Sequence, residues 1–505
     1  MSTEPTWTHR AFWALFAFAV ALKAAYLFAY LRLPFLLGPI GDSTVYLAQA
    51  QAVRAGKFGD PALLAFSPLY GYLLAAFSRP ISLLLFQLTL GLGNLALLYW
   101  VLKSRFGATA ALFSACLYFG YGFLLFYETK VLTETLGLSL ALWATLAFLS
   151  PGFSLGRWRC TLGTGVLVAL AVLARASLIF GIPLFVLAAL APWTSTESRK
   201  PRLQRSTGLL LGVALILGGY GLWTKAHAGT FVLVLYVAPS TSILSDTTSQ
   251  DWSHDLSDVA RGGPSRVPSA WDVVDAVAAD LKRLQDDAAI TGSRPLEAMR
   301  EIDVLGWLRG APAKLWATMS DTEHTFQYGY YAEREHIPAL RALPFGFHVL
   351  LIVGALGAFF LARRDGPRSL LPYLPWFLGC LVTTTLYHPS SRYRLAMIVP
   401  LLLLGGWGIQ QLVRHARREH RWWFPAAVAF LCGVSIVRTA TYTLKNPARW
   451  ELTQASAWAY QGNRERVLEH TERALRLAPD DLNVRRSSAY LRRALGIESL
   501  DEDAP

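Results

Sequence analysis

Long apolar stretches with the charges gathered between them constrain this chain most, because a helix needs about 20 such residues to cross roughly 30 Å of hydrocarbon. About 11 stretches approach or reach that length, at about 11–30, 81–101, 107–126, 132–150, 160–174, 177–192, 207–223, 345–362, 369–386, 394–412 and 423–440. Hydrophobic residues make up 53% of the 505 positions and charged residues 16%, against about 25% charged in an ordinary soluble domain. Mean hydropathy is +0.35. A disordered chain, a fibrous repeat and a conventional soluble enzyme are thereby excluded, and an all-α polytopic membrane protein remains.

The formal charge of +13 comes from 47 Lys and Arg against 34 Asp and Glu. No basic stretch carries a nucleic-acid-binding motif, so the excess reads as a topology signal and no nucleic acid is expected as a partner. Lys and Arg accumulate in cytoplasmic loops, and here they fall at alternate ends of the stretches: Arg10, then Lys103 and Arg105, Arg157 and Arg159, the 199–205 cluster, Arg363, Arg364 and Arg368, and the 414–421 cluster. Both flanks of 160–192 are basic, so the chain crosses an even number of times between them. Two short spans meeting at Arg175 satisfy this, and they avoid a charge in mid-membrane that costs a few kcal/mol. The apolar stretch at 12–30 lacks a small-residue cleavage site and reads as a retained first span. Cys116, Cys160, Cys380 and Cys432 have no CxxC partner, which supports neither a disulfide framework nor a zinc site.

The expected organisation is an N-terminal transmembrane module at 1–224 with an outer first loop at 31–80, an outer loop domain at 225–344, C-terminal transmembrane helices at 345–440 and an outer tail at 441–505. The loop domain is more polar, with Gly262-Gly263-Pro264 and a helical stretch at 271–285. In the tail, Trp458, Gly462, Ala474 and Pro479 fall within two helical patterns joined at Gly462-Asn463. This looks like one tetratricopeptide unit, with small residues where paired helices approach. A third stretch at 482–495 would cap it, and a lone unit is expected to dock on the rest of the chain. The acidic end from Glu498 to Asp503 reads as a solvated tail.

The first outer loop contains Gly41-Asp42-Ser43-Thr44-Val45-Tyr46 and then Phe66-Ser67-Pro68-Leu69-Tyr70. Tyr46, Ala50 and Val53 recur at helical spacing, the pattern of an amphipathic helix on the membrane surface. Asp42 reads either as the N-cap of that helix or as a base that takes a hydroxyl proton at the lipid boundary. The cluster Tyr127-Glu128-Thr129-Lys130-Val131-Leu132-Thr133-Glu134-Thr135 either marks the water interface or supplies chemistry. Glu134 begins an apolar run, where a carboxylate is costly without a partner; it could hold a metal with Asp42 or orient Asp42 and an acceptor. Of the outer basic residues, Arg54 carries no assigned role, and Arg79 and Lys130 read equally as snorkelling anchors. Arg175 and Arg392 suit a phosphate, which arginine holds through paired hydrogen bonds. His388 lies just before them in Tyr387-His388-Pro389-Ser390-Ser391-Arg392-Tyr393-Arg394, and Asp321, Glu323 and His324 match no zinc spacing. Asp42, Glu134, Arg175 and Arg392 come from four separate places yet share one face by the charge rule; independent assignment would do this about once in eight.

At these residues the chain resembles a GT-C fold membrane glycosyltransferase of the protein O-mannosyltransferase and aminoarabinose-transferase group (glycosyltransferase family 39-like). The resembling pieces are Asp42 with Tyr46, Pro68-Leu69-Tyr70, Thr133-Glu134, Leu173-Ala174-Arg175-Ala176 and Arg392-Tyr393-Arg394. The resemblance implies transfer of a sugar from a polyprenyl-phosphate carrier to an extracytoplasmic acceptor, with inversion. It implies Asp42 as base, Glu134 as a second acidic residue, Arg175, Arg392 and Arg394 on the donor phosphate, and Tyr46, Tyr70, Glu128, His388 and Tyr393 around the donor or acceptor. Some relatives have two adjacent acids in the first loop; here Ser43 follows Asp42, a departure that counts against a requirement for a divalent cation such as Mg or Mn, which Asp42 and Glu134 would otherwise hold. The tail would serve an acceptor or partner protein, and the basic-loop pattern points to a bacterial inner membrane with the site and C-terminus facing the periplasm. A lipid-linked glycan ligase or polymerase would depend instead on His324 and His336. A transporter would need polar groups near the bilayer midplane and an internal repeat, and a scaffold would fail on deletion from about residue 445 while tolerating alanine at Asp42 and Arg175.

Overall fold

The computed structural model describes residues 6–60, 63, 67–193, 198–229, 304–320, 323, 328–386, 390–420, 422–441 and 447–497. His388, Asp321, His324, most of the outer loop domain and the acidic end lie outside the described residues. Those described form helices and no strand. The first is α1 (Thr6–Tyr30); the outer first loop then supplies α2 (Asp42–Arg54) and α3 (Pro68–Ala75). Next come α4 (Pro80–Phe106), α5 (Ala108–Gly120), α6 (Gly122–Glu128), α7 (Glu134–Phe148) and α8 (Trp158–Ala174). A 3₁₀ turn at Ala176–Phe180 leads into α9 (Gly181–Leu190), followed by α10 (Arg199–Ala228). After the large loop come α11 (Val304–Met319), α12 (Tyr330–His336), α13 (Phe347–Asp365), α14 (Leu374–Leu386), α15 (Leu395–Glu419) and α16 (Trp423–Thr441). Six of the described helices are long and apolar enough to cross a membrane, or seven if the bent pair α5–α6 is one span. The 59° bend at Tyr121 turns α6 inward, so Tyr127 and Glu128 finish inside the protein.

α15 is the axis of the bundle, buried over most of its length against α13, α5, α7 and α14. Its glycines make this possible: a Cβ at Gly406 would overlap the Ala110 carbonyl and Ser114, and one at Gly408 would meet the α13 backbone at Gly357. Lipid tails are as apolar as leucine, so close backbone approach between small residues replaces the hydrophobic drive available in water. α8 and α10 meet the same way, at Gly165 and Gly212.

The basic helix ends collect at one end of the bundle. Arg105 donates to the carbonyl of Leu149 at 2.7 Å, and Arg364 stacks over Trp407 at 4.8 Å, whose ring lies on Phe106. Arg205 donates to Ser154 (3.3 Å), Ala189 (3.1 Å) and Ala191 (3.2 Å) carbonyls. One side chain thus ties residue 154 to residue 191, so the intervening chain goes out along α8 and returns along α9, turning at Arg175. Glu134 at the start of α7, Arg175 after α8 and Arg392 before α15 occupy the opposite helix ends.

The tail forms α17 (Pro447–Tyr460), α18 (Arg464–Leu477) and α19 (Leu482–Ala494) around a small core of Ala448, Ala474 and Val484. The turn at Gly462 has φ of +71°, and the Asn463 side chain caps α18 by accepting from the Arg466 amide at 3.1 Å. α17 rests on the first outer loop: Trp450 packs on Phe35 and His336, each at 5.4 Å between ring centres, and Gln461 donates to the Pro34 carbonyl at 2.9 Å. Gly38 lies so close that a Cβ there would overlap the Ala457 backbone. Gly38→Ala is therefore expected to cost about 1–3 kcal/mol through overpacking and to loosen the tail, visible as faster proteolysis after residue 441 and a lower melting temperature in detergent.

Candidate active site

α2 begins at Asp42, with Gly41 as its N-cap at φ of +54° and no side-chain cap hydrogen bond. The carboxylate is therefore not spent on capping the helix; its Oδ2 accepts from Arg392 Nη1 at 2.7 Å. α2 does not lie on lipid alone. Its face of Ser43, Tyr46, Gln49 and Ala50 is buried, with Tyr46 edge-on to Tyr70 of α3 at 5.1 Å. Arg54 closes the other end by donating to the carbonyls of Leu74 (3.2 Å) and Ala75 (3.1 Å) in the last turn of α3, a structural use of that arginine.

Glu134, 1% exposed, is the first residue of α7. Its Oε1 is shared by Arg175 Nη1, at 2.9 Å, and Arg392 Nε. Two guanidinium partners offset the desolvation that an isolated carboxylate at a membrane helix end would suffer. Arg175 sits in extended backbone between α8 and the 3₁₀ turn, and its Nη2 donates to the Arg392 carbonyl at 2.7 Å. Its guanidinium lies 5.6 Å from the Tyr393 ring. Gly137, one turn along α7 from Glu134, leaves room for the Arg175 stem. Two carboxylates and two guanidiniums from four chain segments thus form one compensated cluster. The side chains of Asp42 and Arg392 are 18% and 15% exposed and Glu134 not at all, so the cluster opens outward through the Asp42–Arg392 pair.

The electrostatics follow from this packing. Burial opposes the charge on Arg392, but Glu134 and Asp42 overcome it and hold the guanidinium well above its usual range. Burial, reinforced by the Asp42 charge, raises the Tyr46 phenol and keeps it neutral.

Of the remaining expected site residues, Arg394 and Glu128 pair with other partners. Arg394 pairs with Glu323 at 2.8 Å, donates to the carbonyls of Thr318 (2.7 Å) and Ser320 (2.5 Å), and lies 4.1 Å from the Phe347 ring. Glu323 also accepts from Tyr121 at 2.6 Å. Glu128 pairs with Lys23 of α1 beneath Gly91, so the interior is less uniformly apolar than its sequence reads. A small cavity of about 10 Å³, lined by Asn94, Tyr118, Tyr127, Glu128, Glu134 and Thr135, lies between this pair and the Glu134 cluster. Tyr70 donates to Gln87 at 3.0 Å, and Gln87 holds the Glu128 (3.1 Å) and Lys130 (2.8 Å) carbonyls.

Lys130 is no snorkelling anchor. It is wholly buried, paired with Glu333 at 2.8 Å and ringed by Tyr30, Phe126 and Tyr328 at 4.0, 4.4 and 5.4 Å. Burial pulls its pKa down to about 8, against the opposing pull of Glu333. Tyr328 in turn shares a 2.9 Å hydrogen bond with Ser43, the neighbour of Asp42. Sequence reading missed Glu333 and this support of α2; the acidic and aromatic residues crowded into 323–335 were the available signal.

Among the described residues no group of three or more His, Cys, Asp or Glu side chains is placed to hold a metal. Arg392 stands between Asp42 and Glu134, where a cation shared by the two carboxylates would stand. This arrangement does not fit a divalent ion bridging them.

No protein-family model matches the chain, and no curated protein matches it. Among solved structures it is similar to the crystal structure of ArnT from Cupriavidus metallidurans bound to undecaprenyl phosphate, at 13% sequence identity, with 79% of each chain covered and a TM-score of 0.34. A likeness that distant carries no residue-by-residue correspondence.

Proposed function

We propose that this protein is an integral membrane glycosyltransferase that moves a sugar from a polyprenyl-phosphate carrier to an acceptor hydroxyl on the extracytoplasmic side. The observation that supports this most is the compensated cluster itself: a partly open carboxylate, Asp42, beside Arg392 and Arg175, at the helix ends opposite the basic ones. Each reacting group finds a counterpart there. The acceptor oxygen attacks the anomeric carbon while the bond from that carbon to the phosphate oxygen breaks. The bonding pair leaves on the phosphate, whose growing charge Arg392 and Arg175 stabilise. The acceptor proton passes to the Asp42 carboxylate and then to water. A single displacement of this kind inverts the anomeric centre. Glu134 holds both arginines in place, and Tyr46 and Tyr393 line the neighbourhood.

The basic-loop pattern supports a bacterial inner membrane, with this site and the tail on the periplasmic side. The docked tail is suited to present an acceptor or a partner protein. For the ligase reading, His336 has a structural occupation: its Nδ1 lies 2.7 Å from the Ala332 carbonyl and its ring packs on Trp450. For the transporter reading, Lys23 and Glu128 are already paired with one another. The test is to incubate purified protein with a panel of labelled polyprenyl-phosphate sugars and follow release of the lipid phosphate. Release from at least one donor is expected; no release from any would count against the proposal.

A further inference from the structure

The pairing of Asp42 with Arg392 has a consequence for how the site works. A base that is to take a proton and a guanidinium that is to take a phosphate hold each other, with Arg392 Nη1 2.7 Å from Asp42 Oδ2. The two carboxylates are not equivalent in this respect. Glu134 is fully buried and receives both arginines on one oxygen, so removing it from them would strand buried guanidiniums without their counter-ion. Asp42 is partly exposed, contacts Arg392 through one oxygen, and is the first residue of its helix. Of the two anions on Arg392, Asp42 is the exchangeable one.

We infer that Asp42 is an internal stand-in for the donor phosphate: in the ligand-free protein it occupies the Arg392 position that a phosphate ester takes on binding, and phosphate binding releases it as a free carboxylate. This rests on the proposed function and adds an order to it. While Oδ2 of Asp42 holds Arg392 Nη1, that oxygen is occupied and turned away from an acceptor hydroxyl; once released, it is open to one. The base is therefore armed only when a donor is in place, and the cluster exchanges one anion for another without leaving Arg392 uncompensated. No bond is made or broken in this step: one ion pair, Asp42 with Arg392, is replaced by another, phosphate with Arg392. Glu134 and Arg175 keep Arg392 aimed throughout, because the Arg175–Arg392 carbonyl hydrogen bond of 2.7 Å does not involve Asp42.

The test is equilibrium binding of undecaprenyl phosphate, and separately of inorganic phosphate, to full-length protein and to Asp42→Ala, Asp42→Asn and Arg392→Ala. A competitor removed from the site should tighten binding, so Asp42→Ala is expected to bind undecaprenyl phosphate more tightly by at least about fivefold, the lower end of ordinary coupling between sites, and Asp42→Asn, which keeps a neutral oxygen for Arg392, by a smaller factor, while Arg392→Ala binds more weakly. The same gain with inorganic phosphate assigns the contest to the phosphate group alone, and a gain confined to the lipid assigns it to the headgroup held at the bilayer; both support the exchange. Unchanged or weaker binding by the Asp42 variants, with Arg392→Ala still impaired, overturns the exchange and leaves the phosphate site standing. Indifference of all three variants removes the phosphate site and the exchange together. Because deleting any nearby negative charge also favours an anion, a second readout uses the unaltered protein: modification of Asp42 by a water-soluble carbodiimide, followed by mass spectrometry. Undecaprenyl phosphate should speed that modification by exposing the carboxylate, and protection of Asp42 instead would overturn the proposal.

Discussion

Asp42→Asn is expected to lower sugar transfer by about 10²- to 10⁴-fold, the contribution of a well-placed general base, with little change in melting temperature. The amide keeps the shape of the carboxylate and an oxygen for Arg392 Nη1, and Asp42 is one of the two more exposed members of the cluster. Glu134 remains as counter-ion to both arginines. On the proposed mechanism, what is lost is the capacity to take the acceptor proton. Initial rates and thermal unfolding measured on the same purified sample separate the two effects. Turnover close to the unsubstituted protein would remove Asp42 from the chemistry.

Glu134→Ala should act in the opposite way, on the fold first. It leaves Arg175 and Arg392 facing each other with only Asp42 to compensate them, in a place from which water is largely excluded. Breaking a buried ion pair from one side costs about 3–5 kcal/mol, and the loss should appear as a much lower melting temperature in detergent. Glu134→Gln keeps hydrogen-bond acceptance and should fall between. If Glu134→Ala unfolds at the unsubstituted protein's temperature, the arginines are compensated from elsewhere and the cluster is not the organising unit described.

The helical architecture was legible because each apolar stretch carries its own boundary marks. Pro80 opens α4, and Lys103 and Arg105 close it; the turn at Arg175 follows from the basic flanks on both sides. The shared face of Asp42, Glu134, Arg175 and Arg392 was legible from the alternation of basic loops, but their contact was not, since Arg392 lies 217 to 350 residues from its three partners in sequence. Arg394 shows what short motifs conceal. It stands two residues from Arg392 in the turn that leads into α15, yet one arginine joins Asp42 and Glu134 while the other joins Glu323. Lys130 shows the complementary failure. A lysine at a membrane boundary has the same sequence signature whether it reaches for water or is sealed inside an aromatic ring with Glu333, and only the packing distinguishes them.

The claim on which the rest stands is that the carboxylate end of this bundle faces away from the cytoplasm. With Cys116, Cys160, Cys380 and Cys432 replaced by serine, Asp42→Cys can be treated with a membrane-impermeant thiol reagent in intact cells and, in parallel, in inside-out vesicles. Labelling in intact cells and protection in the vesicles is the result expected. Labelling confined to the inside-out vesicles would put Asp42 on the cytoplasmic side and contradict the account.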